Sequence, residues 1–271
     1  MSQLMTALGD GAVVAKRNVI KIKRVPEILV FVLLSPIMFV LLFAFVFGGA
    51  IDVATGAPPE VYREFLIAGI LAQTVIFGAT FTGAGLADDM QKGIIDRFRS
   101  LPMARSAVLV GRTSSDVVYN ALSVAIMALT GLLVGWGIRT SFFEAALGFA
   151  LLLLFAYAFS WVMAYVGLLV PSVEVINNAS FMVIFPITFV SNAFVPLETL
   201  PAPLQTFAEW NPVSSLTQAV RELFGNIPPG APEPTAWPLQ NPILYTLIWV
   251  VIIMAIFVPL SIRQYRRAAR R

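Results

Sequence analysis

Residues 145–170 read AALGFALLLLFAYAFSWVMAYVGLLV, twenty-six positions with no Asp, Glu, Lys or Arg. A helix needs about 20 apolar residues to cross roughly 30 Å of hydrocarbon, so this stretch is long enough to span a bilayer. Five more stretches have the same character: Ile28–Phe47, Phe65–Ala87, Val117–Trp136, Ser180–Pro196 and Ile243–Ile262. Lipid offers no water to backbone N–H and C=O groups, so each stretch is expected to be a helix. Hydrophobic residues make up 58% of the chain and charged residues 12%, which argues against a soluble domain of this size. The fold class is all-α and polytopic, with six transmembrane helices in one membrane domain over residues 1–271.

Basic residues orient the chain. Lys16, Arg17, Lys21, Lys23 and Arg24 precede the first span. Lys92, Arg97, Arg99, Arg105 and Arg112 lie between spans two and three, and Arg263, Arg266, Arg267, Arg270 and Arg271 close the chain. Against these fifteen stand only Arg63, Arg139 and Arg221 on the other side. Positive charge stays cytoplasmic, so both termini and the long second loop are expected inside, in the cell (inner) membrane. The segment Pro171–Ala179 carries no Lys or Arg and is placed inside by alternation alone. The first span is too long for a signal-peptide core. Gly48-Gly49-Ala50 beyond it resembles a cleavage site, but an uncleaved anchor is expected. The pI near 9.4 calls for no nucleic acid, because the excess charge sits against anionic lipid.

Between the spans the polar segments have their own patterns. Residues 3–24 carry Leu4, Leu8, Val13, Val14, Ile20 and Ile22 among basic residues, as in an amphipathic helix lying on the inner surface. Pro26 opens the first span and Ser35-Pro36 should kink it. In Asp88–Pro102, Met90, Ile94, Phe98 and Leu101 recur at helical spacing, with Asp89, Lys92, Asp96, Arg97 and Arg99 on the remainder. This predicts a short cytoplasmic helix, resting on headgroups or docking a soluble partner. Asp116 opens the third span and is expected near the interface or paired with Arg112, one turn away. Gly131 and Gly135 form a small-xxx-small pattern that permits close helix approach. After Pro196 comes a proline-broken apolar segment, 197–225, predicted as short re-entrant helices in the outer leaflet, with Gly230–Pro234 as an exposed turn. Trp136, Trp210 and Trp237 are expected in the outer aromatic belt.

Several chemistries are missing from the sequence. It has no Cys and no His, and so lacks thiol chemistry and the commonest metal ligand. It has no Gly-Lys dipeptide and therefore no P-loop. No Gly-x-Ser-x-Gly elbow, stepped row of carboxylates or Arg ladder occurs. The chain reads as a membrane scaffold that moves something with energy supplied from elsewhere.

Two blocks then carry a resemblance. The first is Asp88, Gly93, Asp96-Arg97-Phe98-Arg99-Ser100-Leu101-Pro102, Arg105-Ser106, Gly111-Arg112 and Asp116. The second is Phe185-Pro186, Phe189, Ser191-Asn192, Phe194-Val195-Pro196, Pro201, Leu204-Gln205, Asn211-Pro212 and Val220-Arg221. The Tyr265-Arg266-Arg267 tail adds a weaker third feature. Together they resemble the type-2 ABC transporter permeases, most closely the daunorubicin/doxorubicin-resistance exporter permeases of actinobacteria. The resemblance implies a non-catalytic six-helix half-transporter that pairs with a second permease, identical or paralogous. Two copies of a cytosolic ATPase would hold ATP and Mg, with no cofactor in this chain.

It further implies that Asp88, Lys92, Gly93, Asp96, Arg97, Phe98, Arg99, Pro102 and Arg105 couple to the ATPase, with Glu174 as a second contact. Arg112 and Asp116 are read as a structural ion pair. Gln73, Phe77, Phe81, Phe185, Phe189 and Asn192 are expected along the pathway of a small hydrophobic substrate, since aromatic walls with a few polar groups suit an amphipathic ligand. Two alternatives stay open: a permease for lipid or lipid-linked polysaccharide, and an intramembrane lipid-modifying enzyme built on Asp116 and Arg112.

Overall fold

The computed structural model describes Leu34, residues 37–42, Phe45, and residues 59–95, 107–170, 172–228 and 230–268. The expected surface helix 3–24, most of the first span, its Ser35-Pro36 kink, and Asp96 through Arg105 lie outside these residues. Among the described residues the chain is all-helical, with no strand. Four helices are long and apolar enough to cross a membrane: Val61–Gln91, Ala107–Leu133, Phe142–Leu169 and Pro242–Arg267. A fifth, Val173–Phe189, is shorter. The chain is an all-α polytopic membrane protein.

The second span is two helices in series, α1 (Pro59–Gly78) and α2 (Thr80–Gln91), separated by the single turn residue Ala79. Thr80 Oγ1 donates to Phe77 O at 2.7 Å, so a side chain competes with the helical ladder at this break. Gly78 permits close approach to the third span: a Cβ there would meet Asn120 Oδ1. α2 ends at Gln91. Lys92-Gly93 makes a turn with Gly93 at φ +63°, which only glycine adopts without strain, and helix resumes at Ile94. Met90 and Ile94 therefore do not share one helix; Ile95, the residue after Ile94, is buried in a cluster with Leu86, Leu109 and Trp161, and Met90 packs against it.

α3 (Ala107–Leu133) starts ten residues before the Val117 expected from hydropathy. Gly111–Asp116 is thus inside the helix, and Asp116 is buried rather than interfacial. Gly131 and Gly135 do not form a helix seam. Gly135 lies past the helix end at φ +95°, and only Gly131 approaches its surroundings closely, facing the Trp136 ring and the Ile67 side chain of α1. α4 (Phe142–Leu169) opens with a capping box in which Ser141 and Glu144 satisfy each other's backbone N–H. At 28 residues it is about 42 Å long, and it packs against α1, α2, α3 and the last span. α2 crosses α4 closely, and a Cβ on Gly167 would lie 2.5 Å from Gly83 O.

The fifth apolar segment is α5 (Val173–Phe189), capped by Ser172. Residues expected as a cytoplasmic loop, 173–179, are its first two turns, and Glu174 is exposed there. Ser180–Pro196 is not one span: the helix stops at Phe189. Pro186 removes one N–H from the ladder, and Thr188 and Ser191 hydroxyls occupy nearby carbonyls. A turn and a short 3-10 segment, Leu197–Thr199, lead to α6 (Ala202–Glu209) and α7 (Pro212–Phe224). α8 (Trp237–Gln240) precedes the last span, α9 (Pro242–Ala268). Trp136 is buried, its Nε1 donating to Asn226 Oδ1 at 2.8 Å, so it does not join an exposed belt. Trp210 and Trp237 stay exposed beside Tyr245.

Candidate functional site

A cavity of about 350 Å³ opens where the α1–α2 break of the second span meets α3, α5 and Phe39. Its wall is aromatic (Phe39, Phe77, Phe81, Phe181 and Phe185), with polar groups from Gln73, Thr74, Thr80, Tyr119 and Ser123. The lining residues 70–81 sit in the middle third of Val61–Gln91 and therefore near mid-depth. The volume falls at the small end of ligand pockets, which run from roughly 300 to 1,000 Å³. Phe77 and Phe81, one turn apart across the α1–α2 break, share the face that lines the space, and Gly78 leaves room for α3.

The α5 wall continues as a ladder. Phe181 and Phe185 stack at 4.9 Å, Phe185 and Phe189 at 4.1 Å, and Phe189 and Phe194 at 4.8 Å. Spacing of four residues puts the first three on one helical face, and the turn after Phe189 folds Phe194 back onto them. The ladder runs from the cavity to the end of the span, where the Tyr62 hydroxyl donates to Phe194 O.

Of the residues singled out from the sequence, Gln73, Phe77, Phe81 and Phe185 line the cavity. Phe189 is the next rung of the ladder outside it. Asn192 is buried in the turn beyond, where its backbone N–H donates to Ser214 Oγ at 3.1 Å. Arg112 Nε stands 3.3 Å from Asp116 Oδ2, and Thr82 Oγ1 donates to the same carboxylate oxygen. Arg112 Nη2 reaches across to Phe81 O at 2.8 Å and lies over Gly85, so the pair fastens α3 to α2 beside the cavity. Asp88 and Lys92 form an exposed ion pair at 2.8 Å at the end of α2, next to Gly93.

Two residues that fasten the turn after α5 carried less weight in the sequence. Arg221, one of the three basic residues counted on the sparse side, is only 1% exposed. Its Nε donates to Phe65 O at 3.0 Å, and Nη2 donates to Asn192 O at 2.7 Å and Ala193 O at 3.3 Å. The guanidinium lies 3.5 Å from the Phe65 ring centroid. Asn211 accepts from Val213 N–H as the N-cap of α7, and its Nδ2 donates to Ile187 O and Val190 O. One side chain thereby serves the orphan carbonyls of α5 and an orphan N–H of α7. The Asn-Pro dipeptide was the available signal, a cap followed by the preferred first helical residue. At the far end of α7, Thr140 Oγ1 and Arg139 N–H donate to Leu223 O and Phe224 O. Arg139 is itself held by both carboxylate oxygens of Glu64. Among the described residues no group of acidic side chains could hold a metal ion.

Known proteins resemble this chain over most of its length. The family profile described as ABC-2 type transporter matches residues 12–224. A daunorubicin resistance ABC transporter permease protein, DrrB1 of Streptomyces coeruleorubidus, is 32% identical, covering 92% of this chain and 83% of that protein. A protein named "Probable doxorubicin resistance ABC transporter permease protein DrrC", from Mycobacterium tuberculosis, is 24% identical over 86% of this chain and 80% of its own length. The family profile, over most of the chain, and these relatives place the chain in the ABC-2 type transporter family as a multi-pass, non-catalytic permease subunit that works with an ABC ATPase.

Proposed function

We propose that this permease exports a hydrophobic or amphipathic aromatic compound, of the drug or antibiotic kind, out of the cell. The mid-depth cavity, with five phenylalanines and a few polar groups, carries the reading, because such a wall suits a flat apolar body with a polar edge. The Phe185–Phe189–Phe194 ladder supplies a continuous aromatic surface from that cavity toward the end of the span. The names of the two relatives, which speak of daunorubicin and doxorubicin resistance, point the same way.

Two permease chains pair and bind two cytosolic ATPase subunits, in which ATP and Mg are held. Both termini face the cytoplasm, a reading supported by fifteen basic residues against three. The end of α2, with Asp88, Lys92 and Gly93, continues into Asp96, Arg97, Phe98, Arg99, Pro102 and Arg105 and receives the ATPase. Glu174, exposed in the first turn of α5, is the second contact. ATP binding closes the ATPase pair and favours the outward-open state by its differential affinity for the two states; hydrolysis resets it.

Extraction through a C-terminal tag in mild detergent, followed by identification of co-purifying P-loop proteins, tests the energy source. A stoichiometric ATPase, stimulated by aromatic compounds once reconstituted, is expected. A chain that purifies alone and reconstitutes with no ATPase refutes the reading. The double variant Arg97→Glu/Arg99→Glu should insert normally and lose export; unchanged export would remove those residues from the coupling role.

A further inference from the structure

The polar wall of the cavity narrows to one side chain. Thr74 and Thr80 commit their hydroxyl protons within their own span, to Ile70 O and Phe77 O. Tyr119 and Ser123 turn their hydroxyls toward each other, and neither oxygen has surface open to the cavity. Gln73 is different. It lines the cavity, and its side-chain amide pairs with no other group among the described residues. Nor are its amide atoms sealed in the core, so they open on the cavity. The residue as a whole is 9% exposed, so packing holds the side chain in place. At this depth lipid offers an amide no partner, and whatever occupies the cavity, water or ligand, has to supply both of its hydrogen bonds.

The setting restricts what can answer that amide. A primary amide presents an acceptor and a donor side by side. It pairs with an edge that carries one donor and one acceptor, the chemistry by which glutamine reads adenine. Phe77 follows on the same helical face, about 6 Å further along the axis. It meets Phe181 at 6.2 Å, and Phe181 stacks on Phe185 at 4.9 Å. The aromatic wall therefore begins one turn from the amide, and a flat ring system lying on it has its rim within reach of Gln73.

We propose that Gln73 is a specificity-determining residue: its amide accepts from and donates to the rim of a planar aromatic ligand that carries a hydrogen-bond donor beside an acceptor, as a lactam does. The assignment rests on reading the cavity as the substrate site, and it adds which polar chemistry that site selects. A ligand of the same outline without such a rim displaces the water that serves the amide and replaces neither bond. Gln73 thus discriminates by the penalty of an unpaired amide.

Phenanthrene and the lactam phenanthridinone share a tricyclic outline, and only the second carries a ring N–H beside a carbonyl. N-methylphenanthridinone keeps the carbonyl and lacks the N–H. Binding to the permease, reconstituted with its ATPase in nanodiscs, is measured by equilibrium dialysis and expressed relative to ligand dissolved in protein-free nanodiscs of the same lipid. On that scale the wild type is expected to prefer phenanthridinone to phenanthrene about tenfold, as two modest hydrogen bonds allow, and to bind the N-methyl derivative about threefold more weakly than the parent lactam. Gln73→Met, close in size and shape, abolishes the preference for the lactam. Phenanthrene binds that variant at least as well as the wild type, which reports an intact fold. Equal binding of phenanthridinone and phenanthrene by the wild type, or a preference that survives Gln73→Met, overturns the assignment. Equal binding of the lactam and its N-methyl derivative overturns it as well, and that comparison needs no variant. Phe77→Ala with Phe185→Ala is a separate arm: loss of both ligands supports the cavity as the binding site, and retention of both removes that underlying reading instead.

Discussion

Gly167→Ala tests how the second and fourth spans are held together. A Cβ on Gly167 would lie 2.5 Å from Gly83 O, 2.8 Å from Gly83 Cα and 3.0 Å from Gly83 C, and ordinary contact begins at 3.4 Å. The carbonyl oxygen must therefore retreat by about 0.9 Å (3.4 − 2.5). Backbone atoms cannot rotate away as a side chain can, so the axes of α2 and α4 must slide or separate. Overpacking of this kind costs about 1–3 kcal/mol. Helix propensity works against it, since Gly→Ala in a helix interior contributes about 0.8–1 kcal/mol of stability. The two together leave a net loss of up to about 2 kcal/mol.

Thermal unfolding of the purified protein, followed by loss of the monodisperse size-exclusion peak, is the assay. Gly137→Ala is the control, because a Cβ there meets nothing within 4 Å. Gly83→Ala should behave like Gly167→Ala, with its Cβ only 2.7 Å from Met163 O. The double variant should cost less than the sum of the singles, because one displacement relieves both overlaps. If Gly167→Ala melts at or above the wild-type temperature while Gly137→Ala is neutral, the backbone contact between these spans is not where the structure puts it.

Arg221→Met should lower stability by about 3 kcal/mol: three carbonyls lose charge-assisted bonds, and only part of that is offset by no longer burying a guanidinium. Arg221→Lys should not restore the melting temperature, because an ammonium cannot present the fork that reaches Phe65 and Asn192 together. Asn211→Ala removes the α7 cap and the donor to Ile187 and Val190, a loss of about 2–3 kcal/mol. Limited proteolysis between residues 190 and 211 should quicken in that variant. Asp116→Asn keeps an acceptor for Thr82 but leaves Arg112 without its counter-ion, and about 3–5 kcal/mol is expected to be lost. Arg112→Gln added to it should recover part of the loss in the same melting assay, and no recovery would mean the two residues act separately.

What was readable in the sequence divides by which neighbour each side chain has. Lipid-facing positions obey one rule along the whole chain, so the apolar runs mark the spans well, and the cavity phenylalanines Phe77, Phe81 and Phe185 stand out within them. Positions that face protein obey the opposite rule. Gly111–Asp116 looks like an interface because it is polar, yet it is buried, since Phe81, Thr82 and Gly85 on another span supply its partners. Arg221 looks like an outer cation for the same reason, its three acceptors being backbone carbonyls that no side-chain pattern reports. Gly83 and Gly167 lie 84 positions apart, and neither has any local mark separating it from Gly131, whose neighbours are the side chains of Trp136 and Ile67 rather than backbone. The short fifth helix was misjudged by hydropathy because Phe194 and Val195 are apolar like a span, although Pro186 and Asn211 end the helix before them. In a membrane chain, then, apolar residues report depth and polar residues report pairing. Only the first can be read one segment at a time, because a buried Arg, Asp or Asn is tolerated solely where a second segment has already arranged its partners.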